Sequence, residues 1–249
     1  MTLPGEQLRR SLAVARKDIR IYYIKGPVVI FGLLIPLFLF LAFSLGNRFA
    51  SIPFLISGLL AMTVFFTATA VSPVIFPWET QARTLERLAA APITVPALVF
   101  GDMLASFLFG ALIALVPVGI GVALGVTITS PAVLLAGILL GAVCFASLGV
   151  LLAVPPARAP QNIMMLSSLI KFPLIFISGI FIPVESLPVW GRVLAAVSPL
   201  TYFTDIARFA MGEVNFYPIA LDLVVLAGFS LLFLGAAMFL HGRTLPKRL

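Results

Sequence analysis

The chain has 249 residues, of which 61% are hydrophobic and 10% charged, against roughly 25% charged in an ordinary soluble domain. Sixteen Lys and Arg, nine Asp and Glu and one His cannot clothe a water-soluble globule of this size, so the surplus apolar surface must face lipid. The net charge of +7 then belongs to membrane topology rather than to a nucleic-acid footprint, and the length allows about six spans of roughly 20 residues with short connections.

Residues 1–26 carry Arg9, Arg10, Arg16, Lys17, Arg20 and Lys25, while Leu8, Leu12, Ala15, Ile19 and Tyr22 recur at helical spacing. This pattern predicts an amphipathic helix on the membrane surface. A cleavable leader is the rival reading, but the next apolar run, 27–46, is about twice the length of a usual leader core, so it reads as the first span. Uncharged runs at 53–76, 103–126 and 132–154 give spans two to four, the last two joined by a tight turn at 127–131. A proline-rich break at 155–160 precedes span five, 163–182, which contains Lys171 and Pro173.

The segment 183–217 is too punctuated by Pro and Gly for one straight crossing. Trp190, Leu194 and Val197 share one helical face, and Tyr202, Ile206 and Phe209 another, so two short helices dipping into or lying on the interface are expected. Span six covers 218–240, and the basic end holds Arg243, Lys247 and Arg248. The expected fold is a single all-α, polytopic membrane domain over 1–249 with six transmembrane helices. Twelve Lys and Arg fall on the side of the termini and the 77–102 loop, against Arg48, Arg192 and Arg208 on the other, which puts both termini in the cytoplasm.

The chain has no G-x-x-x-x-G-K-[ST] phosphate loop, so it has no ATP-driven motor of its own. One cysteine, Cys144, in an apolar run reads as a core residue, and one histidine, His241, excludes multi-imidazole zinc sites and reads as interfacial, beside the last span. Asp222 is read as the one carboxylate inside an apolar run, near the outer end of span six where solvent reaches it. An ion-coupled transporter or channel would need deeper ionisable groups, and a lipid-processing enzyme a nucleophile or metal set that the sequence does not offer.

Three groups of residues are candidates for function. In the 77–102 segment, Thr80, Arg83 and Arg87 share a helical face, Glu79 can pair with Arg83 at i,i+4, and Leu85, Leu88 and Ala89 form the other face. That helix is either an interfacial element anchored by Trp78 or a docking element for a cytoplasmic partner. Lys171 lies roughly 12 Å into its apolar run; it either snorkels to the interface or faces a translocation path, with Phe172 and Phe176, and attracts an anionic head group. Most of the 22 Phe pack or face lipid. Any that line a path favour an amphipathic or lipid-like cargo. On the outer side, Glu185, Asp205, Arg208 and Glu213 are expected to be solvated or paired, Asp205 and Arg208 being one turn apart, and with Tyr202 they are candidates for an outer gate.

Thr84-Leu85-Glu86-Arg87-Leu88, followed by Ala91-Pro92-Ile93-Thr94, resembles the cytoplasmic signature of the ABC-2 type permeases, R-E-x-G-T-L-E-x-L and then a-x-P-[LI]-[ST]. A second match runs from Phe176 through Ser178, Gly179, Pro183, Leu187 and Pro188 to Ser198-Pro199-Leu200-Thr201-Tyr202 and Arg208, which resembles that family's L-S-G-x-x-x-P-x-x-x-L-P and N-P-L-T-Y elements. The resemblance implies a non-enzymatic permease subunit of a prokaryotic inner membrane. It would dimerise, with a homodimer expected, and bind two cytoplasmic ATPase subunits that hold the ATP and Mg. Cargo such as a drug, lipid or lipid-linked glycan would leave between the two permeases. It also makes the N-terminal helix and a 79–91 coupling helix the ATPase contacts, with Glu79, Arg83, Thr84, Glu86 and Arg87 as coupling residues, and 183–212 a re-entrant outer closure. The sequence departs from the pattern where Arg83 replaces the usual Gly, Gln81 stands for an acidic residue, and Asp102 follows Gly101 where a basic residue is common.

Overall fold

The computed structural model describes residues 4–24, 30–46, 51–155 and 160–245. Lys25, Arg48, Arg158, Lys247 and Arg248, which entered the charge count, lie outside the described residues, as do 27–29 of the expected first span and 156–159 of the proline-rich break. Among the described residues every regular element is helical. The N-terminal helix α1 (Pro4–Asp18) continues through a wider helical turn, Ile19–Tyr23. After a second wide turn, Ile30–Leu34, comes α2 (Ile35–Gly46).

Among the described residues, five rods are long and apolar enough to cross a membrane, which makes the chain a polytopic membrane protein. The first, Ile52–Gln81, is made of α3 (Ile52–Ala68) and α4 (Ser72–Gln81). A short α5 (Leu85–Ala90) leads to Val95–Ala123, made of α6 (Val95–Ile113) and α7 (Leu115–Ala123). Helices α8 (Pro131–Leu152) and α9 (Pro160–Ile177) follow. A turn at Val184–Ser186, then α10 (Val189–Ala196) and α11 (Pro199–Ala210), precede α12 (Ile219–Thr244). The expected first span is represented by 17 described residues, 5 in the wide turn and 12 in α2, which rise about 25 Å against a hydrocarbon core of about 30 Å.

Local chemistry sets several of these boundaries. Ser51 Oγ accepts from Phe54 N at 3.1 Å and Thr94 Oγ1 from Ala97 N at 3.4 Å, and each helix has a proline in its first turn, where the missing N–H is harmless. Ser130-Pro131 and Ser198-Pro199 repeat the proline start. Between α3 and α4 the chain breaks at Thr69-Ala70-Val71 and restarts at Ser72-Pro73. Pro73 has no N–H to offer the Thr69 carbonyl four residues earlier.

The main core lies between α3, α8, α11 and α12. Phe65, Phe145 and Phe203 meet edge to face, with ring centroids 5.1 and 5.6 Å apart. Gly137 and Gly141 of α8 admit α11 closely: a Cβ at Gly137 would sit 2.5 Å from Ile206 Cγ2, and one at Gly141 would meet the Phe203 ring. A second cluster gathers Val14, Phe76, Leu85, Val99, Val150 and Leu245. It brings α1, the 77–102 segment and the C-terminal turn of α12 to one end of the bundle.

Two expectations are corrected here. His241 is buried, stacked on Phe76 with centroids 4.5 Å apart, and its Nε2 lies 3.0 Å from the Val150 carbonyl, so it ties α12 to α4 and α8 rather than facing the interface. Of the two short outer helices, α10 does expose Trp190, Leu194 and Val197, but α11 is buried along most of its length against α3, α8 and α12. Tyr202, Thr204, Asp205 and Arg208 of this helix each make a hydrogen bond inside the protein.

Candidate functional site

At the end of the bundle that holds α1, a candidate docking face is built from three elements. Helix α1 lays Ser11, Val14, Ala15 and Asp18 against the start of α6 and leaves Leu8 and Leu12 about half exposed. The protein-facing stripe is therefore offset from the apolar stripe, which remains available to lipid. Gly101 permits the approach, since a Cβ there would stand 2.7 Å from the Ser11 carbonyl. Ser11 Oγ donates to the Ala97 carbonyl at 2.7 Å, Thr94 N donates to Gln7 Oε1 at 3.1 Å, and Arg10 donates to the Pro92 carbonyl.

One turn further on, Lys17 bridges Asp18, at 2.9 Å, and Glu79 of α4. Asp18 and Glu79 are buried, as is Asp102 of α6, whose carboxylate lies close enough to feel both. Burial pushes the Asp18 carboxyl up from 3.8 to about 6, against the pull of Lys17. Burial alone would lower the Lys17 ammonium, but Asp18 and Glu79 outweigh it and the net shift is upward. Beneath this cluster the fully buried Tyr23 hydroxyl meets Ser72 Oγ at 3.1 Å and Ser106 Oγ at 2.5 Å, joining the N-terminal segment to α4 and α6.

The coupling residues are arranged differently from the sequence expectation. Glu79 pairs with Lys17, not with Arg83. A continuous 79–91 helix is not formed, because α4 ends at Gln81 and Arg83 adopts a left-handed conformation, φ 53°. Thr84 N donates to the Glu79 carbonyl at 2.9 Å across that break. Arg83, Glu86 and Arg87 are exposed, Thr84 is partly buried, and Leu85 is buried beneath them. Of the five, three are thus presented outward and Glu79 works from inside.

Lys171 lines a cavity of about 630 Å³ between the Ile30–Leu34 turn, α4 and α9. It is 9% exposed, and its Nζ donates to the Thr69 carbonyl at 2.6 Å, the acceptor that Pro73 leaves without a backbone partner. Snorkelling is thereby excluded: the stem ends on an orphaned carbonyl inside the protein. Phe172 lines the same cavity and contacts Phe66 edge-on at 6.3 Å, whereas Phe176, a turn further on, packs by Phe181 at 5.6 Å.

The outer-gate residues are not gathered into one solvated cluster. Glu185 is exposed. Asp205 is buried and accepts from Phe216 N at 2.8 Å and Tyr217 N at 2.7 Å. Arg208 is buried too, donating to the Gly179 carbonyl and lying 4.2 Å from the Phe54 ring centroid. Tyr202 donates to the Ala196 carbonyl at 2.6 Å and stacks on Tyr217. Asp222 is buried, contrary to the solvated position expected of it, and Asp102 lies inside the rod Val95–Ala123 rather than before it. Cys144 is a buried core residue, as expected.

A family model described as ABC-2 type transporter matches residues 9–211. The chain belongs to the ABC-2 type transporter family. It is also similar to the daunorubicin resistance ABC transporter permease protein DrrB1 of Streptomyces coeruleorubidus, 31% identical over 98 residues, which is 39% of this chain. The match covers 33% of that relative's length. In this ABC-2 family member, Arg83 holds a φ of 53°, the left-handed region that glycine adopts without steric cost. Sequence reasoning missed Lys17, Asp18, Tyr23, Ser72 and Ser106. No local pattern joins residues 49 to 83 positions apart.

Proposed function

We propose that this chain is the membrane subunit of an ATP-driven exporter, with a separate ATPase as its motor and an amphipathic drug or lipid-like molecule as its cargo. The observation that carries this reading is the rigid platform at the α1 end of the bundle. There the exposed Arg83, Glu86 and Arg87 sit on a segment tied to α1 by the Lys17 bridge, and α1 is tied to α4 and α6 through Tyr23, Ser72 and Ser106. A load applied to α5 would therefore reach two membrane rods without passing through a slack loop. Membership in the ABC-2 family and the likeness to a resistance permease support the same assignment.

In this reading Ile30–Gly46 serves as the first of six spans, both termini face the cytoplasm of a prokaryotic inner membrane, and a second copy of the chain forms the other wall of the path. ATP and Mg bind the partner, and the chain itself carries out no chemistry. Glu79 positions α1 rather than touching the ATPase, while Arg83, Thr84, Glu86 and Arg87 make the docking surface. A Glu86→Lys, Arg87→Glu double reversal tests this surface. The partner ATPase is expected to be lost on affinity purification of the permease while membrane insertion is unchanged; full co-purification would remove the assignment. A second reading, an ion-coupled transporter, draws on the buried carboxylates Asp102 and Asp222 inside two of the rods. It requires uphill transport without nucleotide.

A further inference from the structure

The cavity beside Lys171 combines three features that the export reading does not need. Its volume, about 630 Å³, lies within the range of about 300–1,000 Å³ that holds a drug-sized ligand. Its walls are apolar and aromatic, with Phe66, Phe172, Val74 and Trp78 among them. Two of its polar groups share one face of α9, Lys171 Nζ and, one turn earlier, Ser167 Oγ, which is 2% exposed and has no hydrogen-bond partner among the described residues; Ser168 and Tyr22 also line it. Lys171 gives one N–H to Thr69, and an ammonium has two more to place. Met164 and Phe172, both 47% exposed, lie on the same wall, so the cavity can be entered sideways from the bilayer.

We propose that this cavity, within a single subunit, binds an amphiphile with an anionic head and one apolar tail, of fatty-acid type. The head is held by Lys171 Nζ and Ser167 Oγ, and the tail lies along Phe66, Phe172 and Trp78. A carboxylate completes the hydrogen bonding of an ammonium that a neutral alcohol head satisfies less well, and in a low-dielectric site such a charge-assisted pair discriminates by about tenfold or more. A cationic amphiphile is excluded by the same lysine. The inference rests on the residues of the cavity and not on the presence of an ATPase.

The test uses the only two tryptophans of the chain, Trp78 and Trp190. A Trp190→Phe variant, changed at a side chain 67% exposed on α10, leaves Trp78 as the reporter on the cavity wall. The full chain is reconstituted without ATPase or nucleotide into neutral phosphatidylcholine nanodiscs and titrated with 9,10-dibromostearic acid or the matching dibromostearyl alcohol. Saturable quenching is expected, with half-saturation at least about tenfold lower for the acid. Lys171→Met should bring the acid to the level of the alcohol, and Ala70→Phe, which fills the cavity but keeps the lysine, should abolish saturation by both. Equal quenching by acid and alcohol in the Trp190→Phe protein, or acid preference surviving in Lys171→Met, would overturn the proposal. Mass spectrometry of lipids retained through detergent exchange separates the sources. An acidic lipid held at one per chain marks a resident lipid, while reversible competition by added acid marks an exchangeable cargo, and either outcome supports an acid-selective site. Failure of binding would leave the ATPase assignment standing, and failure of that assignment would leave the binding measurable.

Discussion

Lys17 and Glu79, 62 residues apart in the chain, form an ion pair that fastens α1 to the end of α4. The carboxylate is buried and the lysine partly so, which places the pair where Coulomb attraction is weakly screened and an unmatched charge is costly. This contact, more than the surface charges around it, fixes how the proposed docking face sits on the membrane rods.

A double-mutant cycle measures the tie. Lys17→Met and Glu79→Gln are each expected to lower the melting temperature of the detergent-purified protein, with a non-additive coupling of about 1–3 kcal/mol. A coupling near zero would mean that α1 is held by its other contacts, Gln7, Arg10, Ser11, Val14 and Ala15 among them.

Asp18 gives the platform a pH dependence of defined sign. Its carboxyl is raised from 3.8 to about 6 in the folded protein, so its stabilising contribution is complete below about pH 4 and is lost as the pH rises through 6. The charged groups around it are Lys17, Glu79 and Asp102. Asp18→Asn is therefore expected to raise stability at pH 7.5 by about 1–3 kcal/mol and to flatten the pH 4–6 slope, read by thermal unfolding across that range. A variant less stable at pH 7.5, with the slope intact, would reverse the assignment.

The left-handed backbone at Arg83 makes a conservative-looking change informative. Arg83→Gly should stabilise the folded chain by about 1 kcal/mol and Arg83→Val should destabilise it by a similar amount. Since the side chain is exposed, lost packing does not confuse the comparison of melting temperatures. Equal effects of Gly and Val would show that backbone strain is not the cause.

Lys171 and Pro73 are linked through the Thr69 carbonyl. Lys171→Met leaves that acceptor unsatisfied and is expected to cost about 1–3 kcal/mol. Adding Pro73→Ala restores a backbone N–H four residues on and should return part of the loss, although Pro73→Ala alone need not stabilise. Additive effects of the two substitutions would separate the lysine from the proline.

Much of the architecture is legible in composition and periodicity: the five apolar rods and the basic amphipathic α1. What escapes has physical reasons. The break at Arg83 carries no Gly or Pro, so helical spacing reads straight through it. Counted from composition, the third apolar run begins at Met103 and leaves Asp102 outside, whereas the Thr94 cap and Pro96 start the helix at Val95. The amphipathic pattern of α11 reveals two faces but not what covers the polar one, and here backbone N–H groups of Phe216 and Tyr217 satisfy Asp205. Lys171 stands out in the sequence as a charge, but its partner depends on a proline 98 positions away in the chain, which only the packed helices reveal.

The most direct test of the whole account is transport of a fluorescent amphiphile into inside-out proteoliposomes holding the permease, with and without its ATPase. Accumulation is expected only when ATPase, ATP and Mg are all present, and is expected to stop when the nucleotide is replaced by a non-hydrolysable analogue. Uphill accumulation by the permease alone, driven by an ion gradient and indifferent to ATP, would contradict it.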